Sequence, residues 1–133
     1  MSTSSPQIPI LVQLVEPRRM VRYGLRVLLE GQPRIRVVNE ADSIADALAP
    51  RTAPVDIVVL NGETPGALSS LSALAGMSTQ TRVVIVTRDA ERGSVAMRLG
   101  AAATLTIDQV ADKLIAVIES VHRECTAALF PGL

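Results

Sequence analysis

Short apolar runs, each followed by a segment of helical spacing, do most to limit what this chain can fold into. The runs are Ile10–Val15, Ile35–Val38, Asp56–Leu60, Arg82–Val86 and Ala103–Thr106. They are β-branched and nearly continuous rather than alternating, the pattern of strands buried on both faces. Between them lie helical spacings. Met20, Val21, Gly24, Leu25 and Leu28 share one face over 17–31. Ile44, Ala45, Ala47 and Leu48 form a short helix before Pro50, and Leu68, Leu71, Leu74 and Ala75 a third. Val95, Ala96 and Leu99 fall in a fourth, and Val110, Leu114, Val117 and Val121 line a fifth. Gly31, Gly76 and Gly100 stand where helices should end, and Pro17 where one could begin. Strands alternating with helices imply βαβ units with right-handed crossovers. The expected fold is α/β: a doubly wound five-stranded parallel sheet flanked by five helices.

The chain has 133 residues, one domain's worth at ~100–200 residues each. Residues 1–9 read as a disordered leader, 10–124 as the domain, and 125–133 as a tail or the start of a linker. Thirteen basic and 13 acidic residues cancel, which argues against nucleic-acid binding through a general basic field. The only aromatics are Tyr23 and Phe130, so stacking platforms for single strands are excluded. No apolar run approaches the ~20 residues of a membrane span. No signal peptide is visible, and the lone Cys125 excludes a disulfide framework or a multi-Cys metal site. These features point to the cytoplasm.

In an open parallel sheet, ligands bind beyond the carboxyl ends of the strands. The residues there are Glu16 and Pro17, then Asn61 to Gly66, then Thr87-Arg88-Asp89, then Ile107-Asp108. Each has a plain structural reading. Glu16 could belong to a pocket or could complement a helix dipole. Thr87 could meet an anion, or it or Asp89 could cap the next helix. Asn61-Gly62 suits a turn that tolerates left-handed geometry, and is also the dipeptide most prone to deamidation. His122 has no partner at metal-ligand spacing and reads as a surface histidine; Cys125 reads as inert. Arg18, Arg19, Arg22 and Arg26 read as a solvated face balanced by Glu30 and other acids, with an acidic partner surface as the alternative. Gly93, in mid-helix, costs ~1 kcal/mol relative to Ala and should leave the fourth helix loose.

The stretches Val21-Arg22-Tyr23-Gly24-Leu25-Arg26, Asp56 to Asn61 followed by Pro65-Gly66, Thr81 to Thr87, and Leu99-Gly100-Ala101-Ala102-Ala103 carry a family resemblance. In their order and spacing, from about Ile10 to Arg123, the chain resembles the receiver domain of bacterial response regulators, particularly LuxR-type (NarL-type) transcription factors. That resemblance implies two acids after the first strand to hold Mg²⁺. It also implies a phospho-accepting Asp after the third, Thr or Ser after the fourth, Lys after the fifth, and an aromatic switch residue in the fifth. Glu16 matches the first acid and Thr87 the hydroxyl. Pro17 stands for the second acid, Asn61 for the phosphoacceptor, Ile107 for the Lys and Thr104 for the aromatic. An amide is not a competent nucleophile, and one carboxylate is too few for a hard cation.

The resemblance thus implies a non-enzymatic receiver, degenerate at its phosphorylation site, with no metal and no cofactor. It would serve as the regulatory and dimerisation module of a transcription factor, with DNA reached only through a helix-turn-helix domain not present in this chain. The alternatives are a stand-alone adaptor docking through the fourth and fifth helices, or a small-molecule sensor using the vestigial pocket. A flavodoxin-like enzyme is disfavoured, because Glu16-Pro17-Arg18 stands where a phosphate loop would be. In the last helix, apolar residues from Val110 to Val121 cover roughly 160°, against a stripe of roughly 100° for a helix lying on a sheet. The surplus edge, Ala111, Ile115 and Ile118, is the expected homodimer interface, joined by the first helix.

Overall fold

The computed structural model describes residues 8–50 and 53–129. Residues 1–7 of the expected leader and Phe130 to Leu133 of the expected tail lie outside the described residues. Strands β1 (Ile10–Val15), β2 (Ile35–Ala41), β3 (Ile57–Asn61), β4 (Arg82–Thr87) and β5 (Ala103–Thr106) form one parallel sheet in the order β2-β1-β3-β4-β5. Helices α1 (Arg19–Glu30), α2 (Ile44–Ala47), α3 (Leu71–Ala75), α4 (Ala90–Arg98) and α5 (Val110–Leu129) connect and follow them. The doubly wound five-stranded sheet read from the sequence is the observed fold.

Burial on both faces explains the unbroken apolar runs. Ile57 and Val59 join Ile10, Val12 and Leu14 under Leu29 of α1 and Leu114, Ile118 and Val121 of α5. Their neighbours Val58 and Leu60 face the other way, toward Ala47, Leu71, Leu74 and Ala96 of α2, α3 and α4. Gln13 is fully buried yet satisfied: it donates to the Ala47 carbonyl and accepts from the Asn39 side chain. β2 runs three residues past its apolar run. Its register against β1 slips between Val12 and Gln13, leaving Val38 unpaired and half exposed as a bulge.

The structure corrects several readings. Ile118 is fully buried in the core beneath α5, and Ile115 packs against the same cluster; only Ala111 of the expected interface edge is exposed. The wide apolar arc of α5 is spent inside the fold, because the helix sinks onto β4 and β5 beside α1. The domain does not end at residue 124, since α5 continues to Leu129 with Cys125 buried. In α1 the inward residues are Leu25, Leu28 and Leu29, whereas Met20 and Gly24 face outward. Gly93 is no source of looseness. It is buried, and a Cβ there would stand 2.5 Å from Thr104 Oγ1, so α4 rests directly on β5.

Candidate functional site

The strand order reverses about β1: one connection leads out to β2, the rest lead the other way through β3. The carboxyl ends of β1 and β3 therefore form the crevice where ligands bind in such sheets. Glu16 follows β1 and Asn61 ends β3. Glu16 is 2% exposed and Asn61 9%. The Asn61 Nδ2 amide donates to Glu16 Oε1 at 2.7 Å. Glu16 Oε2 accepts the Arg18 backbone N–H at 2.7 Å, and the Arg18 guanidinium lies 3.2 Å from Oε1. The Glu16 carbonyl accepts from Arg22 Nη1 at 2.7 Å. Both carboxylate oxygens are thus engaged by the chain itself. Glu16 lies ahead of α1 rather than in its first turn, yet its carboxylate accepts the N–H of the N-cap Arg18, so it both lines the pocket and meets the positive end of the helix.

The remaining family positions gather around this pair without restoring its chemistry. Pro17 is exposed and offers no ligand. Ile107 closes the far side of a cavity of about 50 Å³ lined also by Glu16, Arg18, Val21, Leu25 and Asn61. Thr87 is buried, and its Oγ1 donates to the Asp89 carbonyl at 2.9 Å. The helix cap is Asp89, which accepts the Arg92 N–H at 2.9 Å. Thr104 lies on β5 against Gly93, where its hydroxyl fills the space an α-carbon substituent would need.

Asn61-Gly62 is not a left-handed turn. Among the described residues no non-glycine has positive φ, and Gly62 is not among the positive-φ glycines. Asn61 Oδ1 instead accepts the Glu63 N–H at 2.8 Å, and the Gly62 N–H donates to the Val86 carbonyl at 2.7 Å. Gly62 is needed for space: a Cβ would come 3.1 Å from the Val86 carbonyl oxygen and 3.2 Å from Thr87 Cγ2.

Sequence reasoning missed one clamp. Glu63 pairs with Arg88 and with Arg92, each at 3.1 Å, tying the loop after β3 to the start of α4. The signal was available, since both partners follow neighbouring strand ends, but nothing in the sequence pairs one charge with another across them. Of the four arginines read as one solvated face, Arg18 pairs with the buried Glu16 and Arg22 is itself half buried, whereas Arg22 and Arg26 reach Glu40 and Arg26 also reaches Glu30. Those two carboxylates hold the Arg26 guanidinium above its ordinary pKa, with Glu30 the larger cause. Cys125 is buried, its thiol against the Gln80 carbonyl, and His122 is half buried on α5.

The residues do not fit the Mg²⁺ that the fold family implies. The one pocket carboxylate is already held by an amide and a guanidinium, and Mg²⁺ is bound through one or two carboxylates that are free to face it. Among the described residues no group of three His, Cys, Asp or Glu side chains could hold a metal ion.

Comparison with known proteins places this geometry. The response regulator UvrY of Escherichia coli is 31% identical over 118 residues, which cover 85% of this chain and 54% of UvrY. A LuxR-family two-component response regulator from an Aurantimonas species superposes with a TM-score of 0.78 at 26% identity, covering 87% of this chain and 86% of that one. The chain is a response-regulator receiver domain of the LuxR/NarL type. The receiver domain of the NarL regulator from Mycobacterium tuberculosis shares the fold, with a TM-score of 0.78 at 22% identity over 88% of this receiver and 98% of that chain. The receiver spans about half the length of UvrY. No family model matches it. Among the described residues no helix is long and apolar enough to cross a membrane.

Proposed function

We propose that this receiver is a phosphorylation-independent regulatory and dimerisation module of a DNA-binding transcriptional regulator. The observation that carries the reading is the Asn61–Glu16 hydrogen bond. In the family pattern these positions hold a nucleophilic carboxylate and a metal-binding acid, whose mutual repulsion a cation must offset. Here a donor meets an acceptor, and the pocket is neutralised from within. Phosphoryl transfer also needs an attacking oxygen and cations around the transferred group. Asn61 supplies no such oxygen, and Ile107 brings no charge where the family has Lys. Four contacts fix the start of α4 and its seat on β5 without phosphate: the two Glu63 ion pairs, the Thr87–Asp89 bond and the close approach of Gly93 to Thr104.

The transcriptional role rests on the resemblance to LuxR-type regulators, with DNA contacted by a helix-turn-helix domain other than this one. A homodimer would present two such domains to a twofold site. A cavity of about 50 Å³ has room for a water or two, far below the ~300–1,000 Å³ of small-molecule sites, and argues against a metabolite in the vestigial pocket. The adaptor reading draws on Met97 and Leu99, which are exposed at the end of α4.

The test is intact-mass measurement after incubation with acetyl phosphate and Mg²⁺. The expected mass is unchanged. A stoichiometric phosphate adduct overturns phosphorylation independence, and its loss or persistence in Asn61→Ala tells whether Asn61 or another residue carries it.

A further inference from the structure

Helix α2 is too short for the strand it follows. Its four residues rise about 6 Å at ~1.5 Å each, whereas the seven of β2 extend about 23 Å at ~3.3 Å each. The Gln13 amide donates to the Ala47 carbonyl, which fixes the end of α2 over the middle of β1. Leu11, one pleat earlier on the same face of β1, is left half buried beside an open groove of about 290 Å³. Val38 and Asn39 complete the floor of this groove, and Pro50 and Pro54 form its wall. The bulge turns Val38 outward, where it is 46% exposed.

Two arginines continue this face toward the start of β2. Ile35 and Val37 point into the cluster under α1 and α5, so Arg36 takes the α2 face, in register with Leu11. Arg34, two residues earlier, keeps the same alternation, and its carbonyl accepts the Ile10 N–H. Arg36 is exposed; Arg34 is half buried, and its Nε is a buried donor with no acceptor. Neither guanidinium has an ion pair among the described residues. The acids on neighbouring segments are engaged elsewhere. Asp56 accepts from the Leu11 N–H and the Gln80 amide, each at 2.8 Å, and Glu40 is held by Arg22 and Arg26. A buried donor without an acceptor is costly, and a carboxylate from outside would satisfy it.

We propose that this face docks an extended segment of a partner protein that carries two carboxylates at alternate positions and an apolar side chain next in the same alternation. The two arginines stand about 7 Å apart along the strand, at ~3.3 Å per residue, and alternate side chains of an extended segment repeat at that distance. The carboxylates meet Arg34 and Arg36, and the apolar side chain then falls over Leu11 and Val38. Charge fixes the register, and the apolar contact separates such a segment from a plain polyanion. The groove lies toward the amino ends of β1 and β2, away from Glu16 and Asn61, so it stands or falls apart from the phosphorylation-independent reading.

The test is an amide chemical-shift titration of the whole chain with the end-capped peptide Ser-Leu-Ser-Glu-Ser-Glu-Ser-Leu-Ser, whose pattern reads the same in both directions. Saturable shifts should centre on Leu11, Arg36 and Val38 and weaken with added salt. A peptide with Gln for both Glu should bind at least about tenfold more weakly, and Arg36→Ser and Arg34→Met should each weaken binding at least about threefold. Arg36 is exposed, and Arg34→Met keeps the apolar stem while removing the unmatched donor, so both variants should melt no lower than the parent. Absence of saturable shifts, shifts centred elsewhere, or equal binding of the Gln peptide would overturn the proposal. Inorganic polyphosphate binding the same residues as tightly as the peptide would overturn it too, because the site would then read charge alone.

Discussion

Asn61 and Glu16 face each other across the ends of β3 and β1 as donor and acceptor, 2.7 Å apart. That contact replaces the repulsion between carboxylates that the family's pocket would hold. It makes Asn61 a structural partner of a buried acid rather than a damaged nucleophile.

The first prediction follows from that pairing. Asn61→Asp would set two carboxylates at hydrogen-bond distance, with Arg18 the one cation paired to the Glu16 carboxylate. Asn61→Ala loses both the bond to Glu16 and the one that Oδ1 accepts from the Glu63 N–H, whereas Asn61→Asp keeps the second and puts repulsion in place of the first. We expect Asn61→Asp to lose about 1–3 kcal/mol by urea or thermal unfolding at neutral pH. An Asn61→Asp variant as stable as the parent would show that the hydrogen bond does not hold the pocket.

Much of the fold was legible because its causes are local. Continuous β-branched runs, helical spacings and the glycines at 31, 76 and 100 specify the elements, and the strand-end rule located Glu16, Asn61 and Thr87. What was not legible depends on how deeply an element sinks. The arc on α5 looked too wide for one sheet, but the helix beds against both the sheet and α1, so Ile118 disappears into the core. On α1 the same periodicity fits two faces, and only packing tells that Met20 lies outside while Leu29 lies within. Gly93 illustrates the same gap: a glycine that gives looseness and one that permits close approach look alike in a sequence.

The second prediction concerns that glycine. In Gly93→Ala the new methyl would collide with the Thr104 hydroxyl at 2.5 Å, forcing α4 off β5 or Thr104 out of its rotamer. The expected cost is about 1–3 kcal/mol. Thr104→Ala removes the colliding atoms, and its own Cβ lies at an ordinary 3.5 Å. In that background Gly93→Ala should be neutral or stabilising through helix propensity. A double-mutant cycle with no coupling would refute the contact.

The third prediction is chemical. Deamidation at Asn-Gly requires the following backbone nitrogen to attack the side-chain amide. Here the Gly62 N–H is committed to the Val86 carbonyl and the Asn61 side chain is held at both its oxygen and its nitrogen. Asn61 should therefore deamidate far more slowly in the folded chain than in urea, as read by peptide mapping of aged samples. Equal rates in the two states would mean that the β3 end opens freely.

The last prediction grades one edge of α5 from its exposed start to its buried middle. Ile118 is fully buried among core aliphatics, so Ile118→Ala leaves a cavity and should cost about 2–5 kcal/mol. Ile118→Glu would place an unpaired carboxylate in the same space and should give no cooperative thermal transition at neutral pH. Ala111 is exposed two turns earlier on the same side of the helix, and Ala111→Glu should change stability by no more than about 0.5 kcal/mol. Ile115 lies between them, partly buried against the core, and Ile115→Ala should fall between the two. A folded, stable Ile118→Glu would return that side chain to the surface and reopen α5 as an interface. The graded order Ala111, Ile115, Ile118 would instead place the whole inner arc of α5 inside the monomer.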